Sequence, residues 1–118
     1  MATLSVYSGA PALAGDNPLI AAPGAGKRIV PVFIMLQNNT ATADTLLLYD
    51  GASATGTKLA TVLVQNQGDG LIVNTTFQGG FKPYHLKCSE NKALVLNKAQ
   101  AVATNVTVWY YTEASGAL

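Results

Sequence analysis

Residues 27–37 read KRIVPVFIMLQ and form the longest β-like run in the chain. No polar residue interrupts it between Ile29 and Leu36. Apolar side chains on both faces indicate a central strand, or a strand whose second face is covered by another element. Because Pro31 has no N–H to donate to a ladder, we expect an edge or a bulge where this strand begins.

Shorter β-rich runs lie on both sides of this strand and are separated by turn residues. They span residues 3–7, 19–22, 45–50, 58–64, 71–77, 81–88, 93–96 and 102–112. Nowhere does a helical i, i+3, i+4 pattern persist for three turns. Regularly spaced strands with turn signals between them predict an all-β antiparallel β-sandwich that is jelly-roll-like.

The N-terminal residues are expected to lie outside this sandwich. They are rich in Gly, Ala and Pro and contain a turn-initiating Asp-Asn-Pro sequence. We therefore predict an extended N-terminal arm or loop over residues 1–18 and a single β-sandwich domain over residues 19–118. Within the arm, Leu4, Val6 and Tyr7 are candidate contacts with a partner, because an extended segment adds a strand to an exposed sheet edge.

The composition points to association rather than to chemistry. The chain has 118 residues, of which 11% are charged, and a formal net charge of +1. An ordinary soluble domain has about 25% charged residues. A net charge this small produces too weak an electrostatic field to attract nucleic acid or an acidic membrane, and neither is an expected partner. A surface with little charge is poorly protected against association, which favours coverage by partners or by further copies of the chain.

Ionisable groups are too sparse to support most catalytic or metal sites. The chain has one His, one Cys and six acidic residues, whereas proton transfer and metal coordination need such groups clustered. His85 and Cys88 are an odd number of residues apart, so on one strand they would point to opposite faces. We expect Cys88 in the core and His85 at the surface. No enzymatic activity, metal or cofactor is predicted.

Two groups of residues have a plain structural interpretation. Residues 24–27, GAGK, are similar to a phosphate-binding loop, but Arg28 follows where that motif requires Ser or Thr, and a strand follows where it requires a helix. We predict a glycine turn between two strands. The one local concentration of basic residues is interpreted as solvated strand positions, with a nucleic-acid or acidic-protein patch as the alternative; it comprises Lys82, Lys87, Lys92 and Lys98.

The aromatic cluster Trp109-Tyr110-Tyr111 supplies the second candidate contact. On a strand, Tyr110 points away from the other two, so Trp109 and Tyr111 share a face. Trp and Tyr are enriched at protein interfaces, and Trp109 and Tyr111 therefore join the candidate interface residues. A stacking platform for a sugar is the alternative.

Three stretches of the chain resemble small virion proteins of tailed phages. They are LIAAPGAGKRIVPVFIMLQN (19–38), LLLYDG (46–51) and ALVLNKAQAVATNVTVWYYTE (93–113). In these proteins a glycine turn leads into a long strand, an Asp-Gly turn follows, and another long strand closes the sandwich. The resemblance is to jelly-roll or immunoglobulin-like decoration (cement) proteins of phage heads. It supplies no catalytic or binding residues.

The resemblance implies a structural protein of the virion, made in the host cytoplasm and placed on the capsid surface. Its expected partner is the major capsid protein, and a homo-oligomer is expected. Binding across neighbouring capsid subunits would stabilise the head, because only the assembled state presents the composite site. The alternative is a carbohydrate- or receptor-binding module of a phage tail or fibre. Such a module would expose coplanar aromatic rings in a groove, whereas a decoration protein would expose a broad apolar patch.

Overall fold

The computed structural model describes residues 3–74 and 87–116, and these form β-strands joined by turns and loops. The strands are β1 (Ser5–Gly9), β2 (Gly15–Ile20), β3 (Lys27–Asn38), β4 (Asp44–Asp50), β5 (Thr57–Val64), β6 (Gly70–Asn74), β7 (Leu94–Lys98) and β8 (Thr104–Ala114). No helix in this part of the chain is long and apolar enough to cross a membrane.

The strands form two four-stranded antiparallel sheets. Sheet I has the order β1-β8-β3-β6, and sheet II has the order β2-β7-β4-β5. The pairing is nested: β1 pairs with β8, β2 with β7, β3 with β6 and β4 with β5. The predicted all-β antiparallel sandwich is confirmed.

The core consists of side chains from the inner faces of both sheets. Along β4, buried residues alternate with half-buried ones, as expected for a strand with one face on the core. Burying one aliphatic side chain of this size contributes roughly 1.5–3 kcal/mol, so the core is the main stabilising element. The innermost members are Ile29, Ile34, Leu36, Val106 and Val108 from sheet I, and Leu46, Leu48, Leu94 and Leu96 from sheet II.

Strand β3 occupies the central place that its apolar sequence predicted. It pairs with β8 on one side and with β6 on the other. The register with β8 shifts between Pro31 and Phe33, so a bulge lies at the proline, as expected. The bulge also decides which side chains face outward. Beyond it, Ile34 and Leu36 are buried in the core, while Phe33 and Met35 lie on the opposite face of the sheet and are half-buried.

The N-terminal residues differ from the expected arm. Strand β1 pairs with β8 from Ser5 to Gly9, and β2 pairs with β7 from Gly15 onward. The expected boundary at residue 18 therefore falls inside a strand. Edge strands tolerate proline, because one row of their N–H groups has no ladder partner. Pro18 accordingly lies in β2, the edge strand of sheet II, beside a register shift.

The Asn17 side chain stabilises this irregular edge. Its amide nitrogen donates to the carbonyl oxygens of Leu13, Gly15 and Leu96 at 2.8, 3.0 and 3.3 Å. The turn-forming residues that suggested a loop thus build the start of β2, because their side chains satisfy backbone groups that a regular ladder would satisfy.

The remaining strand predictions agree with the structure in part. Strands β4, β5 and β8 cover the predicted runs to within two residues at each end. Strand β6 ends at Asn74, and the rest of the run predicted to residue 77 lies outside the described residues. Of the run predicted at 81–88, the structure describes residues 87 and 88, which lie in no strand.

Candidate interaction surface

The outer face of sheet I carries exposed apolar side chains aligned across the strands. Trp109 of β8 lies opposite Val6 of β1 on one side and opposite Phe33 of β3 on the other. Trp109 is 42% exposed and Val6 is 51% exposed. Side chains directly opposite one another in an antiparallel pair are close neighbours, so these three form one apolar row.

A second row continues the apolar surface toward the other edge of the sheet. Thr107 lies opposite Ser8 and Met35, and Met35 lies opposite Ile72 of β6. Ile72 is 66% exposed. The two rows together constitute what we call the sheet I face: Val6, Trp109, Phe33, Met35 and Ile72, with Thr107 between them.

Polar groups bound this face at both ends. At one end the Asn105 amide lies 3.5 Å from the Gln37 side-chain oxygen. At the other end Glu113 Oε2 accepts from Arg28 Nη2 at 2.6 Å and from Lys87 Nζ at 2.9 Å. Burial opposes ionisation of Glu113, but the hydrogen bonds and charges of Lys87 and Arg28 outweigh it and hold its pKa below the usual value. Glu113 is therefore ionised at neutral pH and both cations have a charged partner.

Tyr111 lies between the ionic cluster and Trp109. It follows Trp109 by two residues and pairs with Val30, so it shares the outer face of sheet I. Burial and, to a smaller extent, the Glu113 charge raise the pKa of its phenol, against an opposing effect of Arg28. Tyr111 is half-buried and neutral, and it extends the apolar surface toward the ionic cluster.

The five candidate interface residues do not all lie together. Val6, Trp109 and Tyr111 share the outer face of sheet I. Tyr7 points the other way and packs against the core. Leu4 is 53% exposed and precedes β1. The N-terminal strand was expected to pair with a sheet edge of a partner, whereas in the structure β1 pairs with β8 of the same chain.

Three members of the sheet I face were missed from sequence: Phe33, Met35 and Ile72. The run 27–37 was interpreted as buried on both faces, which hid the outward positions. A usable signal was present, because placing Ile34 and Leu36 in the core leaves Phe33 and Met35 on the other face of the strand.

The other motifs have the structural roles expected of them, where the structure describes them. Gly24 and Gly26 have φ angles of 110° and 78° and form the turn that leads into β3, so the glycine turn is confirmed. Cys88 is buried in the core, as predicted, and donates its backbone N–H to the Ile29 carbonyl at 3.0 Å. His85 lies outside the described residues. No group of three or more potential metal ligands occurs in residues 3–74 and 87–116.

Lys98 corrects the interpretation of the lysines as solvated positions. It occupies an inward-facing position at the end of β7, opposite Leu46, and its side chain is fully buried. Its Nζ donates to Asp44 Oδ2 at 2.8 Å and to the Thr104 hydroxyl. Because side chains alternate between the two faces of a strand, Lys98 faces inward together with Leu94 and Leu96. The interpretation from charge alone did not take this alternation into account.

The Asp44 carboxylate is equally enclosed. Its side chain is also fully buried, and its second oxygen, Oδ1, accepts three backbone N–H groups. These come from Thr45 at 2.8 Å and from Ala99 and Gln100 at 3.0 Å each. Every buried side-chain nitrogen and oxygen in the described residues has a hydrogen-bond partner. The pair thus ties the start of β4 to the turn between β7 and β8.

The described residues define the class of the protein: an antiparallel β-sandwich whose sheet I carries exposed apolar side chains on its outer face. No family model matches the chain, and neither a curated protein nor a solved structure does.

Proposed function

We propose that this protein is a structural protein of a tailed-phage virion that decorates the head. It binds the major capsid protein across neighbouring subunits, and the sheet I face is the contact. The observation that carries the proposal is the exposed apolar row of Val6, Trp109 and Phe33 on a chain with little charge. The resemblance of residues 19–38, 46–51 and 93–113 to phage virion proteins supplies the partner.

The physical properties of the face suit a broad contact. A sheet face is rigid, so little conformational entropy is lost when it is covered. Trp is the residue type most enriched among those that dominate binding energy at interfaces, and such residues lie near the centre of the contact. Trp109 has Val6 and Phe33 as flanking apolar neighbours, an arrangement that excludes water from around the indole once a partner covers it.

The alternative function, a sugar- or receptor-binding module of a tail, has one observation in its favour. Trp109 is exposed beside polar groups, namely Thr107 and the Asn105–Gln37 pair. However, in the part of the chain that the structure describes, Trp109 is the one exposed aromatic side chain, and it lies on a sheet face rather than in a groove. Phe33 and Tyr111, the aromatic side chains that share this face with Trp109, are half-buried, so we favour decoration.

The test is co-sedimentation of the purified protein with phage heads that lack it. We expect saturable binding at a fixed ratio to the major capsid protein. Trp109→Ala should weaken binding at least tenfold, because losing a central aromatic anchor costs about 2 kcal/mol or more, and 1.4 kcal/mol corresponds to about a factor of ten.

Leu63→Ala is the matched control. Leu63 is 70% exposed but lies on β5 of sheet II, so its truncation should leave binding unchanged. Equal loss in both variants, or loss in Leu63→Ala alone, would show that the sheet I face is not the contact. Absence of binding to heads would contradict decoration, and binding to tails or host glycans instead would establish the alternative.

A further inference from the structure

The buried Lys98–Asp44 pair has features that a simple ion pair does not need. Both side chains are fully enclosed, and the ammonium lies 2.8 Å from one carboxylate oxygen. Separating two charges from water costs several kcal/mol per ion, and the mutual attraction often fails to offset that cost. An aliphatic pair at this position would fill the core without the cost.

Two features of the surroundings of Asp44 bear on acyl chemistry. The Lys98 Nζ is held 2.8 Å from Oδ2, against the carboxyl group that would acylate the amine. The other oxygen, Oδ1, accepts backbone N–H groups from Thr45, Ala99 and Gln100. Converging backbone donors of this kind stabilise negative charge that develops on an acyl oxygen.

We propose that Lys98 and Asp44 become joined by an intramolecular amide bond. The Lys98 ammonium passes one proton to Oδ2 along their hydrogen bond, which leaves an amine and a carboxylic acid. Nζ then attacks Cγ, and negative charge collects on Oδ1 among its three donors. The Cγ–Oδ2 bond breaks, and Oδ2 leaves as water with the first proton and a second one from Nζ. The amide keeps one N–H, and no oxidant, reductant or co-reactant takes part.

The product retains the hydrogen bonds of Oδ1 and the hydrogen bond to Thr104, and the new amide bond replaces the contact between Nζ and Oδ2. Oδ1 becomes the amide oxygen and still accepts its three backbone N–H groups, while the remaining N–H of Nζ donates to Thr104. A neutral amide replaces two buried charges, so the desolvation cost of the ion pair disappears.

The first test is the intact mass of the purified full-length chain under denaturing conditions. We expect a mass lower than that of the sequence by one water molecule. Succinimide formation at Asp50-Gly51 or Asp69-Gly70 would give the same loss, so Lys98→Arg is the matched variant: it keeps both Asp-Gly pairs but replaces the amine. The loss must vanish in Lys98→Arg. A native chain with the full sequence mass, or a loss that persists in the variant, overturns the proposal.

The second test uses the native chain alone and does not depend on the variant folding. Trypsin does not cleave after an acylated lysine. We therefore expect the digest to contain residues 29–58, which include Asp44, covalently joined to an uncut segment 93–118. A digest with separate peptides 93–98 and 99–118 and no joined species overturns the proposal.

Discussion

Removing the Asp44 carboxylate should destabilise the fold more than removing the Lys98 charge. Asp44→Ala leaves the Lys98 ammonium buried with Thr104 as its remaining partner, and it also leaves three backbone N–H groups without their acceptor. Leaving one partner of a buried ion pair uncompensated costs about 3–5 kcal/mol. That is a large share of the roughly 5–15 kcal/mol that keeps a typical domain folded.

Lys98→Met is the matched perturbation from the other side of the pair. Met fills similar space with an unbranched apolar chain, and the Asp44 carboxylate keeps its three backbone donors. We therefore expect a smaller loss, about 1–3 kcal/mol. Neither variant can form the proposed amide, so the order of the two does not depend on it.

Urea unfolding followed by circular dichroism measures both losses. With an m-value of about 2 kcal/mol/M for a domain of this size, the expected difference of about 2 kcal/mol between the variants places the midpoint of Asp44→Ala roughly 1 M below that of Lys98→Met. An equal or larger loss in Lys98→Met would refute the argument, because it would show that the three backbone N–H groups do not stabilise the carboxylate.

Three other positions allow direct tests. A Cβ at Gly70 would collide with the Leu36 carbonyl oxygen, so Gly70→Ala should lower Tm by about 4 °C or more, and an unchanged Tm would contradict this close approach. Burial and, to a smaller extent, the Asp50 charge raise the pKa of the Cys88 thiol to about 12. A thiol reagent at mildly alkaline pH should thus leave the native protein unlabelled and label it fully in urea; rapid labelling of the native protein would contradict the burial. Burial opposes ionisation of Asp50, but hydrogen bonds from Ser89 and Thr57 outweigh it and lower its pKa below 3.8. Its contribution to stability is therefore present above about pH 4 and is lost as the pH falls through the lowered pKa, and Asp50→Asn should flatten the acid limb of a stability–pH curve.

The sandwich was predictable because its strands carry strong local signals. The apolar run 27–37 predicted a central strand with an edge or a bulge at Pro31, and the structure has the central strand and the bulge. Local signals failed at the N-terminus, because Gly, Asp, Asn and Pro in β2 have the same preferences whether they form a loop or an irregular edge strand. Whether Asn17 meets Leu96 across the sheet is decided by tertiary pairing, which no local pattern contains.

Tertiary pairing also determines the candidate surface and the buried Lys98–Asp44 pair, so the sequence predicted neither in full. Trp109 and Tyr111 were identifiable by residue type and alternation, but their alignment with Val6 depends on the register of β1 against β8. Lys98 was misjudged because charge usually means exposure. Its burial depends on Asp44, which lies 54 positions away in the sequence.

The N-terminal pairing also changes which experiment can test the interface. If the N-terminal residues formed the expected arm, deleting residues 1–17 would remove a binding arm and leave the domain intact. In the structure that deletion removes β1 and the start of β2, and it exposes the edge of β8. Loss of binding would then report loss of the fold, so a single substitution at Trp109 is the sharper probe.

The low charge content has a physical consequence once the positions are known. Lys98 is enclosed with Asp44, and Arg28 and Lys87 both contact Glu113. These charges are therefore engaged within the chain and do little to repel or steer another molecule. Among the residues that the structure describes, none at the centre of the sheet I face is charged, so covering these residues desolvates apolar surface without removing water from an ion. The proposed contact would therefore gain its affinity from apolar surface and fit rather than from charge pairs.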